Sequence, residues 1–295
     1  MQQDVVTPIG LPGLRLPIPN LSGLRRLVGH PRNLMGLAIL VPLVVLAFGA
    51  SLLPLPGPLE VNTDVSLQAP SLDHLMGTDR LGRDILSRTL AGARTSLTVG
   101  FVVAAGALSI GIVLGTLAGF LGKFVDGTMM AVVDILLSFP GLLLAIGMVA
   151  VFGSGLFQVI IAIMVADIPR AIRLQRSMVL GLKSRPFMDA ARMASAPTWW
   201  LMLRHVIPNT LAPMLVVGSV YAANAILVEA SLSFLGLGIT PPNPSWGNLI
   251  HDGQAYLQRA WWISTFPGLA ILAVAISLHL ISDGVRESLD PSMRS

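Results

Sequence analysis

Three long runs of this chain contain no Asp, Glu, Lys or Arg: residues 34–53, 96–121 and 262–281, holding twenty, twenty-six and twenty residues. A helix needs about 20 apolar residues to cross the hydrocarbon core of a bilayer. The chain has 295 residues, 54% hydrophobic and 12% charged, against about 25% charged in a soluble domain. Three further stretches, at about 127–151, 156–172 and 210–237, are apolar apart from one or two ionisable residues. The expected fold is all-α, a polytopic membrane protein with six transmembrane helices, each satisfying its own backbone hydrogen bonds inside lipid.

The charge pattern sets an orientation. With residues 1–30 as a cytoplasmic tail and six crossings, fourteen of the nineteen Lys and Arg fall on inner segments and five on outer ones. That is the positive-inside bias, so the basic pI reflects topology and lipid contact rather than nucleic acid. Both termini are expected in the cytoplasm. The N-terminus shows no cleavable signal pattern, and the first full-length span reads as a retained anchor. There is no cysteine, hence no disulfide framework and no thiolate metal site.

Enzymatic motifs do not appear. Neither lysine, Lys123 or Lys183, has the glycine spacing of a phosphate-binding loop. The five histidines are scattered, so no metal-ligating group is expected. Asp134, Asp167 and Glu229 lie within predicted spans. An ionisable group at membrane depth is a candidate for a transport pathway, although Asp134 and Asp167 can equally sit near span ends.

Two loops invite attention. From the second half of the outer segment into the next span, Leu81, Ile85, Leu86, Leu90 and Leu97 fall on a helical stripe. Arg80, Asp84 and Arg88, spaced by four, are placed to pair on the opposite side. This predicts an amphipathic helix, either lying at the interface or offering Asp79, Arg83 and Asp84 to an external partner. Trp246 follows a proline-rich loop and reads as a mouth cap, an interface anchor or a further contact for that external partner.

The inner loop, 170–208, has a design of its own. Pro186 suits a first helical turn, and Asp189 in that turn complements the helix dipole. Phe187, Ala190, Ala191 and Ala194 repeat at i, i+3, i+4 and i+7, giving an apolar, mostly small face. Pro197 is expected to stop this helix, and Pro208 to open the next span. The product is a short exposed helix, serving either as a docking knob for a soluble partner or as an interfacial helix without one.

The run Phe187-Met188-Asp189-Ala190-Ala191-Arg192-Met193-Ala194-Ser195, followed by Pro208-Asn209, resembles the cytoplasmic coupling loop of permease subunits in bacterial ABC importers. Three more stretches resemble the oligopeptide, dipeptide and nickel branch of that family. They run from Gly77-Thr78-Asp79 to Ser96-Leu97, from Glu229 to Trp246-Gly247, and from Phe266-Pro267-Gly268 to Asp290-Pro291. Together they cover about residues 30–291 and match the C-type subunit, whose first outer segment is long. Asp189 stands for the usual Glu, Ser195 for the usual Gly, Ile207 for the usual Leu, and His279 where Asn is common.

The resemblance implies the type I permease fold, with a first helix and outer segment over 31–94 and a five-helix core over 95–291. It implies ATPase coupling through Phe187, Asp189, Ala190, Ala191, Ala194, Ser195 and Pro208. It also implies a second permease subunit, cytoplasmic ATPase subunits that bind the ATP and Mg, an extracytoplasmic substrate-binding protein, and the bacterial inner membrane. The chain itself needs no cofactor. Its cargo is expected to be oligopeptides or dipeptides, with nickel and glutathione as alternatives. From another class, a proton-coupled transporter using Asp134, Asp167 and Glu229 would need no ATPase.

Overall fold

The computed structural model describes residues 31–289; the expected tail, 1–30, and the Asp290-Pro291 end of the last motif lie outside them. Among the described residues the regular elements are all helical, with one isolated bridge between Thr78 and Asp84. The helices are α1 Pro31–Gly49, α2 Ile85–Leu121, α3 Lys123–Leu137, α4 Gly141–Phe152, α5 Leu156–Lys183, α6 Pro186–Met193, α7 Thr198–Leu201, α8 Ile207–Phe234, α9 Trp246–Gln254 and α10 Trp262–Leu289.

Four helical stretches are long and apolar enough to cross a membrane: Pro31–Leu52, Ile85–Leu121, Thr198–Phe234 and Trp262–Glu287. The bent pair α3–α4 passes the same test only when its two helices are taken together, as a broken span or a re-entrant loop. The helix α5 stands where a sixth span is expected, but its inner half carries Asp167, Arg170, Arg173 and Arg176. That charge removes it from the count by apolarity.

Two local expectations are corrected. The stretch 127–151 is not one straight span. It breaks at Ser138-Phe139-Pro140 and turns by 86°. Pro140 has no N–H to continue the helix, so a new one starts at Gly141. The stretch 77–84 is not a helix either. It is a set of tight turns, with Gly77 and Gly82 at positive φ. Helix α2 begins only at Ile85, where the Asp84 side chain accepts from the Ser87 N–H at 2.8 Å and so caps an otherwise orphan donor.

The centre of the fold is α2, which packs along α5 and α8. Small residues allow this closeness. A Cβ on Gly115 would lie 2.6 Å from the Ile172 carbonyl oxygen of α5, so only glycine fits there. Small-residue contacts of this kind replace the hydrophobic drive that lipid removes. A buried clasp fixes the register of the three helices: Gln175 of α5 donates to Thr116 of α2 at 2.8 Å and to Thr210 of α8 at 2.9 Å. One apolar cluster, including Leu97, Ile226, Trp246, Val274 and Leu278, joins α2, α8, α9 and α10. A second, including Val103, Val149, Val159, Ile163 and Ala225, joins α2, α4, α5 and α8.

Candidate functional site: an inner hairpin, polar groups between helices and an outer lock

The inner hairpin is built from α6, α7 and the start of α8. Pro186 occupies the first turn of α6, and Arg192 donates to Asp189 at 3.0 Å. The helix ends at Ala194, before Pro197. Ser195 adopts a left-handed φ of 57°, the conformation that favours glycine. Pro197 therefore does not stop α6; it precedes α7 as its cap residue.

The hairpin has two apolar sides. Met188 is fully buried and packs with Phe120, Val179, Leu201 and Val206. Ala191 is half-buried against that same cluster, so it does not belong to the free face. Phe187, Ala190 and Ala194 are exposed, as are Asp189 and Ser195, and Met193 is 82% exposed. The sequence pattern finds the outer side and misses the Met188 anchor, because i, i+3 spacing from Met188 to Ala191 defines a second stripe.

Pro208 lies in the first turn of α8, as expected. It sits inside a rod that runs unbroken from Thr198 to Phe234. The rod widens to π-helix over Met202–Val206, just where the Pro208 ring would crowd the carbonyl one turn earlier. The Asn209 side chain donates to the His205 carbonyl at 2.6 Å and satisfies it. His205 packs edge-on against Trp200, with centroids 5.0 Å apart.

The hairpin is tied to the rest of the inner end by cations of α5. Lys183 donates to the Phe120 carbonyl at 3.0 Å, where α2 ends. Arg176 forms a two-pronged pair with Asp126 of α3, and Arg173 pairs with Asp134. Asp134 is thus a surface acid in an ion pair, 64% exposed.

The other two intramembrane acids are enclosed. Glu229 is fully buried; Ser96 donates to one of its oxygens at 2.8 Å and Ser233 to the other at 2.7 Å. The carboxylate lies in the contact between α2 and α8 within this chain. Asp167 is 1% exposed and accepts from Arg170 at 2.7 Å. It lines a notch of about 170 Å³ with Gly141, Leu142, Ile163, Ala166, Arg170, Asn224 and Val228.

At the other end of the bundle Asp79, Arg83 and Asp84 take part in a network of internal pairs. Asp79 and Asp84 are 2% and 3% exposed. Asp79 accepts from the N–H groups of Leu81 and Arg83, from Arg83 Nε at 2.6 Å and from Arg88 at 2.5 Å. Arg88 reaches on to Asp252 of α9 at 3.4 Å, and His74 pairs with Asp84 at 2.9 Å. Arg80 joins none of these pairs; its carbonyl accepts from Ser66. Burying carboxylates requires such donors, so Asp79, Arg83 and Asp84 point inward. Trp246 is fully buried and donates to the Thr89 carbonyl at 3.0 Å; it is a peg between α9 and α2, neither a mouth cap nor an interface anchor. A crevice of about 560 Å³ lies between the end of α1, residues 55–58, α2 and Asn243-Pro244.

Comparison with known proteins agrees with this architecture. Residues 111–295 match the family described as "Binding-protein-dependent transport system inner membrane component". A putative peptide transport system permease of Brucella abortus is 42% identical over 92% of this chain and 91% of its own length. A dipeptide transport system permease of Alkalihalophilus pseudofirmus is 40% identical over 89% and 86%. A glutathione transport system permease of Pectobacterium atrosepticum is 38% identical over 90% and 88%. Among solved structures, inward-facing conformations of the MetNI methionine ABC transporter share the fold, with TM-score 0.54 at 18% identity over 68% of this chain and 95% of theirs. The matched profile and these relatives place the chain in the family of inner membrane components of binding-protein-dependent transport systems, as a multi-pass permease.

Proposed function

We propose that this permease carries short peptides inward as one of two membrane subunits of an ATP-driven importer. The peptide and dipeptide permeases among its relatives support that cargo, and the glutathione permease fits the same class, a modified tripeptide. In this reading the sixth crossing is α5, held inside the bundle with its charged half toward the cytoplasm. The external binding protein delivers the cargo and supplies most of the selectivity.

The observation that carries the reading is the hairpin. It offers a small apolar knob, Phe187, Ala190 and Ala194, on a buried Met188 foot, between two rods that enter the bundle. Such an element transmits rigid-body motion from a soluble ATPase to the spans and switches them between inward-open and outward-open states. Asp189, Ser195 and Pro208 shape the knob and its exit rather than form its apolar tip.

Ala190 is the position at which to test it. Ala191 is half-buried in the hairpin's own packing, so a change there would confuse misfolding with lost docking. Ala190→Arg places an unpartnered charge in the contact, at about 1–3 kcal/mol or more, enough to weaken association roughly tenfold or beyond. Uptake and ATPase co-purification should both fall while membrane levels stay normal. Normal transport with the ATPase still bound would remove the docking assignment.

A further inference from the structure

The notch around Asp167 contains a charge that the fold leaves unfinished. Arg170 occupies one oxygen of the carboxylate, at 2.7 Å. The other, Oδ2, is buried without a hydrogen-bond partner. The Asn224 side chain faces the same carboxyl but does not complete a bond to Oδ2. An acceptor left open on a 1% exposed acid is costly unless something fills it. The neighbouring 170 Å³ gives room for a ligand group or for water.

The notch also lies at a break in the helical lining. Asp167 is eleven residues past the start of α5 at Leu156, about 16 Å along the helix, which in the proposed six-crossing topology is about half-way through a ~30 Å hydrocarbon core. Helix α4 begins at the same depth. It has 12 residues, about 18 Å, and its first residue, Gly141, borders the notch. A Cβ on Gly141 would lie 3.0 Å from the Arg170 guanidinium. The site therefore has a positive rim, from Arg170 and the opening turn of α4, beside the Asp167 carboxylate that lines it.

That arrangement does not suit a metal ion. One oxygen is free, and hard cations need about six. It suits a group that is cationic at one atom and carries a carbonyl or carboxylate a few bonds away. We propose that the notch is a station for the free amino end of a short peptide, with the ammonium on Asp167 Oδ2 beside Asn224 and the first carbonyl toward Arg170. This rests on the peptide-importer reading above.

The chain has no cysteine, so Leu142→Cys, on the notch wall, is a clean reporter. Its rate of labelling by N-ethylmaleimide would be measured in membranes holding the assembled transporter, with dialanine or N-acetyl-dialanine added. At about 10 mM, well above a millimolar Kd, dialanine should slow labelling roughly threefold or more, while the acetylated peptide, which has no ammonium, should not. Adding Asp167→Asn should abolish the protection. Equal protection by both peptides, protection by neither, or protection that survives Asp167→Asn would overturn the station. If Asp167→Asn fails to reach the membrane, the two peptides on the Leu142→Cys background still decide the question. Uptake in the cysteine-free parent separates the two levels: uptake of dialanine without protection sinks the station alone. Uptake of neither dialanine nor trialanine would remove the peptide reading beneath it.

Discussion

Each oxygen of the Glu229 carboxylate takes one serine hydroxyl, and those serines hold other groups in turn. The Trp246 N–H points at Ser96 at 3.4 Å, and the Ile239 N–H donates to Ser233 at 3.2 Å. One acid thus organises the contact of α2, α8 and the loop before α9. Glu229→Ala would leave two buried hydroxyl protons without an acceptor, at about 1–3 kcal/mol each. The expected result is a melting temperature lower by several degrees in detergent, with uptake falling only as far as folded protein falls. A variant of normal stability that transports nothing would assign Glu229 to the pathway.

Among the helices, what the sequence discloses and what it hides follow from range. Charge-free runs mark α1, α2 and α10 because the lipid requirement is local and needs no partner. The inner hairpin is legible for the same reason: Pro186, the alanine spacing and Pro208 act within one or two turns. The bend at Pro140 was signalled by Pro140-Gly141, but a mean over twenty-five apolar residues dilutes a single breaker. The outer lock has no local signature. Arg88 meets Asp252 across 164 positions, so spacing alone pairs Arg80, Asp84 and Arg88 as if on one helix. Arg88 is 3% exposed, and breaking a buried pair from one side costs about 3–5 kcal/mol. Arg88→Gln should therefore loosen residues 53–84 from the bundle, seen as faster proteolysis of that segment in right-side-out vesicles. Unchanged protection would show that the lock carries no load.

At the scale of the whole molecule the proposed orientation has a direct test. Ser184 and Asn243 are both exposed, at opposite ends of the bundle in the proposed topology. In the cysteine-free background, Ser184→Cys should react with an impermeant thiol reagent only from the cytoplasm, and Asn243→Cys only from outside. Reversed labelling, or both residues on one side, would overturn the six-crossing arrangement and with it the inner position of the hairpin.

Helix α2 has a mechanical consequence. It is one uninterrupted helix of 37 residues, about 55 Å long. Lys183 grips its carbonyl end beside the hairpin, and the Asp79–Arg88–Asp252 lock grips its amino end. A strut clamped at both ends cannot be loaded at one without the other responding. By thermodynamic reciprocity, any free energy that an outer ligand gains by shifting this strut must reappear, equal in size, in the affinity of whatever holds the inner end. A ligand that shifts this strut at one end would thus be felt at the other through a single element, without a relay of intermediate parts.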